Sequence, residues 1–246
     1  MPTTPDSGAH SIRPRRHCRR GRPLSSPPIA PNAHELALVA PASAIAVGDW
    51  VAVHRGKRVL EYACKPLAMV ALLAAATVIT PADPSQRAWF LAALSLSMLG
   101  DVFLMLPERR VGPADTFTFG LAAFLLGHLA YVAGFVARGL GSAWLFPALI
   151  ISTFVLATVG VGVIRGAKRH DATLAGAVTV YMLVLVAMLD VAWSSGVALA
   201  MIGAALFVAS DAMIGCSRFV APFPYHRLCI IVTYHLAQGL LVLSLA

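Results

Sequence analysis

The sequence predicts an all-α integral membrane protein, a bundle of eight transmembrane helices, and three observations carry that expectation. Of 246 residues, 59% are hydrophobic and only 12% charged, with a mean hydropathy of +0.78. From residue 36 the apolar residues fall into runs of roughly 18 to 23, the length a helix needs to cross about 30 Å of hydrocarbon. Short polar or Pro/Gly breakers divide the runs. This composition excludes a soluble enzyme, a collagenous chain and a disordered acidic protein.

The first span runs from Leu36 to Val53 and ends before Arg55, Lys57 and Arg58. The second, Glu61 to Thr80, stops at Thr80-Pro81-Ala82-Asp83-Pro84, and the third, Trp89 to Leu106, at Pro107-Glu108-Arg109-Arg110. The fourth, Thr116 to Ala137, is separated by Gly139 to Ser142 from the fifth, Ala143 to Ile164. Arg165 to Asp171 then precedes the sixth, Ala172 to Ala192. Trp193-Ser194-Ser195-Gly196 leaves room only for a very tight turn before the seventh, Ser194 to Gly215. Arg218 to Arg227, with Pro222 and Pro224, leads into the eighth, Leu228 to Ala246.

Ahead of the spans, residues 1–33 hold Arg13, Arg15, Arg16, Arg19, Arg20 and Arg22 among Pro and Ser. They have no continuous apolar stretch of the kind a secretory signal needs, so the expectation is a disordered basic arm, either one suited to anionic lipid headgroups or one that a start codon placed too far upstream has added to the sequence. The net charge of +8 is largely this arm's: from residue 34 onward there are 13 basic and 10 acidic side chains. Nucleic-acid binding is therefore not expected. Cys18, Cys64, Cys216 and Cys229 form neither a zinc signature nor a disulfide framework and read as free thiols.

Loops this short make consecutive helices antiparallel neighbours, so loops 1–2, 3–4, 5–6 and 7–8 share one face. That face carries Arg55, Lys57, Arg58, Arg109, Arg110, Arg165, Lys168, Arg169, Arg218 and Arg227, against Arg87 and Arg138 on the other. The positive-inside rule places it in the cytoplasm and both ends of the bundle outside. The six tail arginines argue the reverse, but they stand 14 or more residues ahead of the first span.

A charge near the bilayer centre costs several kcal/mol, so each intramembrane Asp or Lys needs a partner, a wet cavity or a function. The candidates are Asp49, Lys65, Asp101, Asp190 and Asp211. Lys65, Asp101 and Asp211 all lie roughly 6–8 Å from the helix ends on the odd-loop side by helical rise. Asp49 lies near that side too, whereas Asp190 belongs to the opposite end and is expected to cap or reach the interface there. Deeper in the same half, His128 and Tyr131 share a face of the fourth helix, as do Tyr234 and Gln238 on the eighth. Taken singly, each residue is as well explained by interhelical hydrogen bonding. Taken together, they predict one polar cavity open to the odd-loop side. His128 and His235 with Asp101 and Asp211 would make only borderline-adequate metal ligands, no HxxxH or HExxH spacing is present, and no metal is expected.

Gly100-Asp101 followed by Gly127-His128-Leu129-Ala130-Tyr131 echoes Ser210-Asp211 followed by Tyr234-His235-Leu236-Ala237-Gln238, with Asp-to-His separations of 27 and 24. A parallel four-plus-four repeat about the membrane normal is compatible with this echo and would bring Asp101 and Asp211 to equivalent places.

Lys65-Pro66-Leu67, Leu99-Gly100-Asp101-Val102-Phe103-Leu104-Met105-Leu106, Phe119-Gly120, Gly127-His128-Leu129-Ala130-Tyr131, Leu206-Phe207-Val208-Ala209-Ser210-Asp211 and Tyr234-His235-Leu236-Ala237-Gln238 form an ordered set. In that order the set resembles the YhhN-like lysoplasmalogenase family over roughly residues 36 to 246. The basic arm departs from the family pattern, and the first helix carries little of it. The resemblance implies hydrolysis of the vinyl ether bond of lysoplasmalogens to a fatty aldehyde and glycerophospho-ethanolamine or -choline, without a cofactor.

Vinyl ether hydrolysis proceeds by slow protonation of the β-carbon and capture of the oxocarbenium ion by water, which calls for a carboxylic acid, a stabilising carboxylate and a positioned water. Asp101 and Asp211 with His128 are the candidate catalytic residues. Lys65, Tyr131, Tyr234 and Gln238 are the candidate substrate-binding ones, with Lys65 as charge partner or phosphate anchor. The rival function is a transporter using the Asp, Lys and His residues as a proton relay. The spans lack the paired Gly/Pro breaks at midplane that discontinuous-helix transporters show.

Overall fold

The computed structural model of the chain describes residues 31–111, 114–141 and 143–246, and of Arg110, Val111 and Ala114 the backbone only. The predicted basic arm, apart from its last residues, and Cys18 lie outside the described residues. Eight described helices are long and apolar enough to cross a membrane: α1 (Ala33–His54), α2 (Arg58–Val78), α3 (Pro84–Met105), α4 (Thr116–Arg138), α5 (Leu145–His170), α6 (Ala172–Ser194), α7 (Ala198–Phe219) and α8 (His226–Leu243). The chain is a multi-pass membrane protein. A two-residue antiparallel ladder, β1 (Arg110–Val111) with β2 (Ala114–Asp115), lies in the loop between α3 and α4.

Local chemistry sets the helix ends. Asn32 and Glu35 form a reciprocal capping box at the start of α1, satisfying two backbone donors that have no partner inside the helix. Asp83, Asp115 and Asp171 cap α3, α4 and α6 through their carboxylates. At Asp115 the Thr118 amide holds the carboxyl below its usual range. The tight turn expected at Trp193 to Gly196 is present: α6 continues to Ser194, and Gly196 at φ 71° reverses the chain before α7. α5 extends past its expected end at Ile164 to His170, with a π turn at Leu156–Gly160.

α3 packs along α4, α7 along α8 and α1 along α2. Close approach needs glycine at these seams. A Cβ on Gly100 would meet the Phe124 ring at 2.5 Å, and one on Gly127 would lie 3.3 Å from the Ala93 carbonyl. In the second half, Gly166 of α5 abuts the Phe219 carbonyl of α7. Small residues let helices associate in lipid, where dispersion and hydrogen bonds rather than water exclusion drive packing.

The contacts α2–α3, α3–α4 and α2–α8 have counterparts in α6–α7, α7–α8 and α6–α4. That is the neighbour pattern of a four-plus-four parallel repeat.

Polar ties close both ends of the bundle. At the odd-loop end, Arg227 at the start of α8 reaches both carboxylate oxygens of Glu61 on α2 at 2.8 Å, and Arg218 pairs with Glu108. At the other end, Arg138 donates to Gln86 and to the Ser244 carbonyl, and the Ala82 amide donates to the Leu245 carbonyl.

Candidate active site

Five of the seven sequence-predicted site residues form two groups around the two aspartates. On α3, Asp101 receives Lys65 Nζ of α2 at 2.8 Å on Oδ1 and the Tyr234 hydroxyl of α8 at 2.6 Å on Oδ2. On α7, Asp211 accepts from the Tyr181 hydroxyl of α6, while His128 Nε2 of α4 stands 3.6 Å from its Oδ2. Each carboxyl thus takes one partner from the helix before it and one from the last helix of the opposite half. Both carboxyls are buried, Asp101 at 2% exposure and Asp211 at 9%.

The His128 tautomer follows from its neighbours. Nδ1 lies 2.7 Å from the Phe124 carbonyl, which can only accept, so Nδ1 carries a hydrogen and donates. In a neutral ring Nε2 would then face the Asp211 carboxyl with a lone pair. Two acceptors facing each other in a low-dielectric interior repel, and one proton on either atom removes the conflict.

An aromatic wall joins the two groups. Phe207 is edge-on to His128 at 4.7 Å between ring centroids and to Tyr234 at 5.6 Å, and Phe124 packs edge-on against Tyr234 at 5.9 Å.

The single polar cavity expected from the sequence is resolved into two adjoining spaces. A cleft of about 560 Å³ opens at the odd-loop end and has Lys65 in its wall. Beside it a narrow space of about 50 Å³ is apolar except for Asp211 and the Tyr181 hydroxyl, with Val163, Met182 and Leu185 among its lining. Leu104, Phe117 and Ile214 border both. Asp101, with Lys65 drawn against it, borders neither space, and nor do His128 and Tyr234, which the sequence reading places in the expected cavity.

Tyr131 and Gln238 lie elsewhere in the core. Both are fully buried, the Tyr131 hydroxyl donates to Gln238 Oε1 at 2.5 Å, and neither lines either space. Asp190, near the end of α6 and partly exposed, accepts from Ser152 of α5 at 2.6 Å, tying α6 to α5. His235 accepts on Nδ1 from the Trp50 indole at 3.1 Å, holding α8 to α1. Asp49, on α1, is fully buried, and neither of its carboxyl oxygens has a hydrogen-bond partner among the described residues. Cys64, Cys216 and Cys229 are free thiols.

The sequence reading missed Tyr181. A single tyrosine inside an apolar span has no spacing partner on its own helix, and only the packing of α6 against α7 brings it to Asp211. It also missed Phe124 and Phe207, which look like ordinary apolar positions.

Fold and site together define a membrane-embedded protein with two buried carboxyls in contrasting surroundings, one ion-paired and one beside an apolar space under a charged cleft. The chain belongs to the YhhN family, whose model matches residues 60–245. It is similar to a lysoplasmalogenase of Mycobacterium tuberculosis (strain CDC 1551 / Oshkosh), 35% identical over 175 residues, 67% of this chain and 62% of that one. It is also similar to lysoplasmalogenase TMEM86B of Sus scrofa, 33% identical over 154 residues, 63% of this chain and 62% of that one. With lysoplasmalogenase TMEM86B of Mus musculus the identity is 31% over 184 residues, 74% of this chain and 72% of that one. The chain thus spans about 62% of the length of the mycobacterial and porcine relatives. No solved structure gives a significant match.

Proposed function

We propose that the protein hydrolyses the vinyl ether bond of lysoplasmalogens in the cell membrane, releasing a fatty aldehyde and a glycerophospho-ethanolamine or -choline. The observation that carries this reading is the contrast between the carboxyls. Asp101 is held by an ammonium, whereas Asp211 borders an apolar space with only a phenol and an imidazole for company. Paired carboxyls in contrasting environments divide acid and stabiliser roles. The names borne by the relatives agree with this chemistry.

The lipid lies with its phosphate in the cleft and its alkenyl chain in the apolar space, so that the vinyl ether sits where the two meet, at Leu104, Phe117 and Ile214. Asp211 gives its proton to the β-carbon, and the former double-bond electrons form the new C–H bond, leaving an oxocarbenium ion on the ether side. The ionised Asp211, with the fixed charge of Asp101 nearby, stabilises that cation. Water adds to the cationic carbon, and its proton returns to Asp211 by way of His128 Nε2. The hemiacetal then collapses to the aldehyde and the glycerol hydroxyl.

Tyr234 and Lys65 fix Asp101, while Tyr131 and Gln238 brace α4 against α8 behind the site. Lys65 also presents its charge to the cleft as part of the headgroup site. A site some ångströms beneath the headgroups suits a single-chain lipid whose reactive bond lies just below its phosphate.

The test is aldehyde release by the purified protein from 1-alkenyl-glycerophosphocholine beside the 1-acyl analogue. The alkenyl lipid is cleaved and the acyl lipid is not. Cleavage of the acyl ester with no aldehyde from the alkenyl lipid would remove the proposal.

A further inference from the structure

The cleft at the odd-loop end contains more charge than the reaction uses. Arg58, Lys65, Arg218 and Arg227 line it together with His226, and Glu61 is its one carboxylate. Most of these charges are already matched. Lys65 is paired with Asp101, Arg218 with Glu108, and Arg227 covers both oxygens of Glu61. Four cations against those three carboxylates leave one positive charge, and it falls on Arg58, which makes no ion pair among the described residues.

One surplus positive charge complements one phosphodiester. Glu61, the one carboxylate among the described lining residues, is covered by a guanidinium, so no carboxylate there is free to receive an ammonium group. α2 and α8, whose first residues are Arg58 and His226, both start at this cleft without a side-chain cap. These helix starts bring their positive dipole ends to the same space.

We infer that Arg58, on the α2 terminus beside Arg227 and Arg218, binds the substrate's phosphate, and that the site selects the lysolipid by that phosphate and not by its amine. This rests on the proposed reaction for its substrate but not for its readout. The cleft adjoins the apolar space through Leu104, Phe117 and Ile214, which makes the occupant a single-chain lipid rather than a free anion. The ethanolamine or choline end points out of the cleft toward water.

The test measures binding of unreactive saturated ethers to the full protein in detergent micelles: 1-alkyl-glycerophosphocholine, 1-alkyl-glycerophosphoethanolamine and 1-alkylglycerol, which has no phosphate. The two phospholipids bind within about threefold of each other, and both bind about tenfold or more tighter than the alkylglycerol, as a hydrogen-bonded charge pair provides. Arg58→Gln abolishes the advantage of the phospholipids without weakening the alkylglycerol, and Arg58→Lys restores part of it. Glu61→Gln opens no difference between ethanolamine and choline.

An equal loss for all three lipids in Arg58→Gln, or a selective loss of the ethanolamine lipid in Glu61→Gln, would overturn the inference. So would displacement of the phospholipid by millimolar inorganic phosphate, which would make the cleft a site for the free ion. Aldehyde release is scored separately. Phosphate-dependent binding with no cleavage of an alkenyl lipid would preserve this inference and remove the proposed reaction.

Discussion

Lys65 Nζ and Asp101 Oδ1 are 2.8 Å apart inside the bundle, with 15% of the lysine side chain and 2% of the aspartate exposed. Removing one member of such a pair strands the other charge away from water, at a cost of about 3–5 kcal/mol. Lys65→Met therefore lowers the thermal unfolding temperature in detergent markedly, and the double variant Lys65→Met with Asp101→Leu recovers much of the loss. If Lys65→Met unfolds at the wild-type temperature, the pair has no structural weight.

In the proposed reaction Tyr181 and His128 act on the reacting carboxyl without replacing it. Tyr181→Phe and His128→Gln each lower kcat for aldehyde release by about tenfold to a hundredfold, in the range of single acid–base and positioning groups. KM moves little, because neither residue touches the headgroup cleft. A rise in KM at unchanged kcat in either variant would transfer that residue from chemistry to binding.

Gly166 lies against the Phe219 carbonyl, so a methyl group there must move a main chain rather than a side chain. Gly166→Ala separates α5 from α7 and costs about 1–3 kcal/mol or more, as overpacking does. Gly176, with nothing near the position of an added Cβ, is the matched control, and Gly176→Ala unfolds close to the wild type. Equal behaviour of the two variants would contradict the packing of α5 described here.

The loop charges predict Arg109 in the cytoplasm and Leu140 outside. With Cys18, Cys64, Cys216 and Cys229 replaced, Arg109→Cys resists an impermeant thiol reagent added to intact cells and Leu140→Cys reacts. The opposite pattern would invert the orientation.

The bundle was legible in the sequence because the membrane imposes it: apolar runs of spanning length leave only helices as a way to satisfy the backbone. Asp101, Asp211, Lys65 and His128 were legible for the same reason, since charge inside a span is costly and stands out. The pairing was not. Nothing in the spacing separates Asp101 with Lys65 from Asp211 with Tyr181, because those partners come from helices whose lateral order only packing decides. The cleft and the apolar space meet at Leu104, Phe117 and Ile214, which read in the sequence as ordinary apolar positions. The extension of α5 to His170 escaped notice because its last turn carries Lys168 and Arg169, which read as loop.

The central claim is that the Asp211 carboxyl delivers the proton to carbon. The most direct measurement is single-turnover aldehyde release by wild type and Asp211→Asn in H2O and D2O, on protein that folds and binds 1-alkyl-glycerophosphocholine normally. The account predicts a sizeable solvent deuterium isotope effect in the wild type and a fall of on the order of 10² or more in the Asn variant. A rate within about twofold of wild type for Asp211→Asn, with no isotope effect, would contradict the claim and leave Asp211 as a structural hydrogen-bond acceptor.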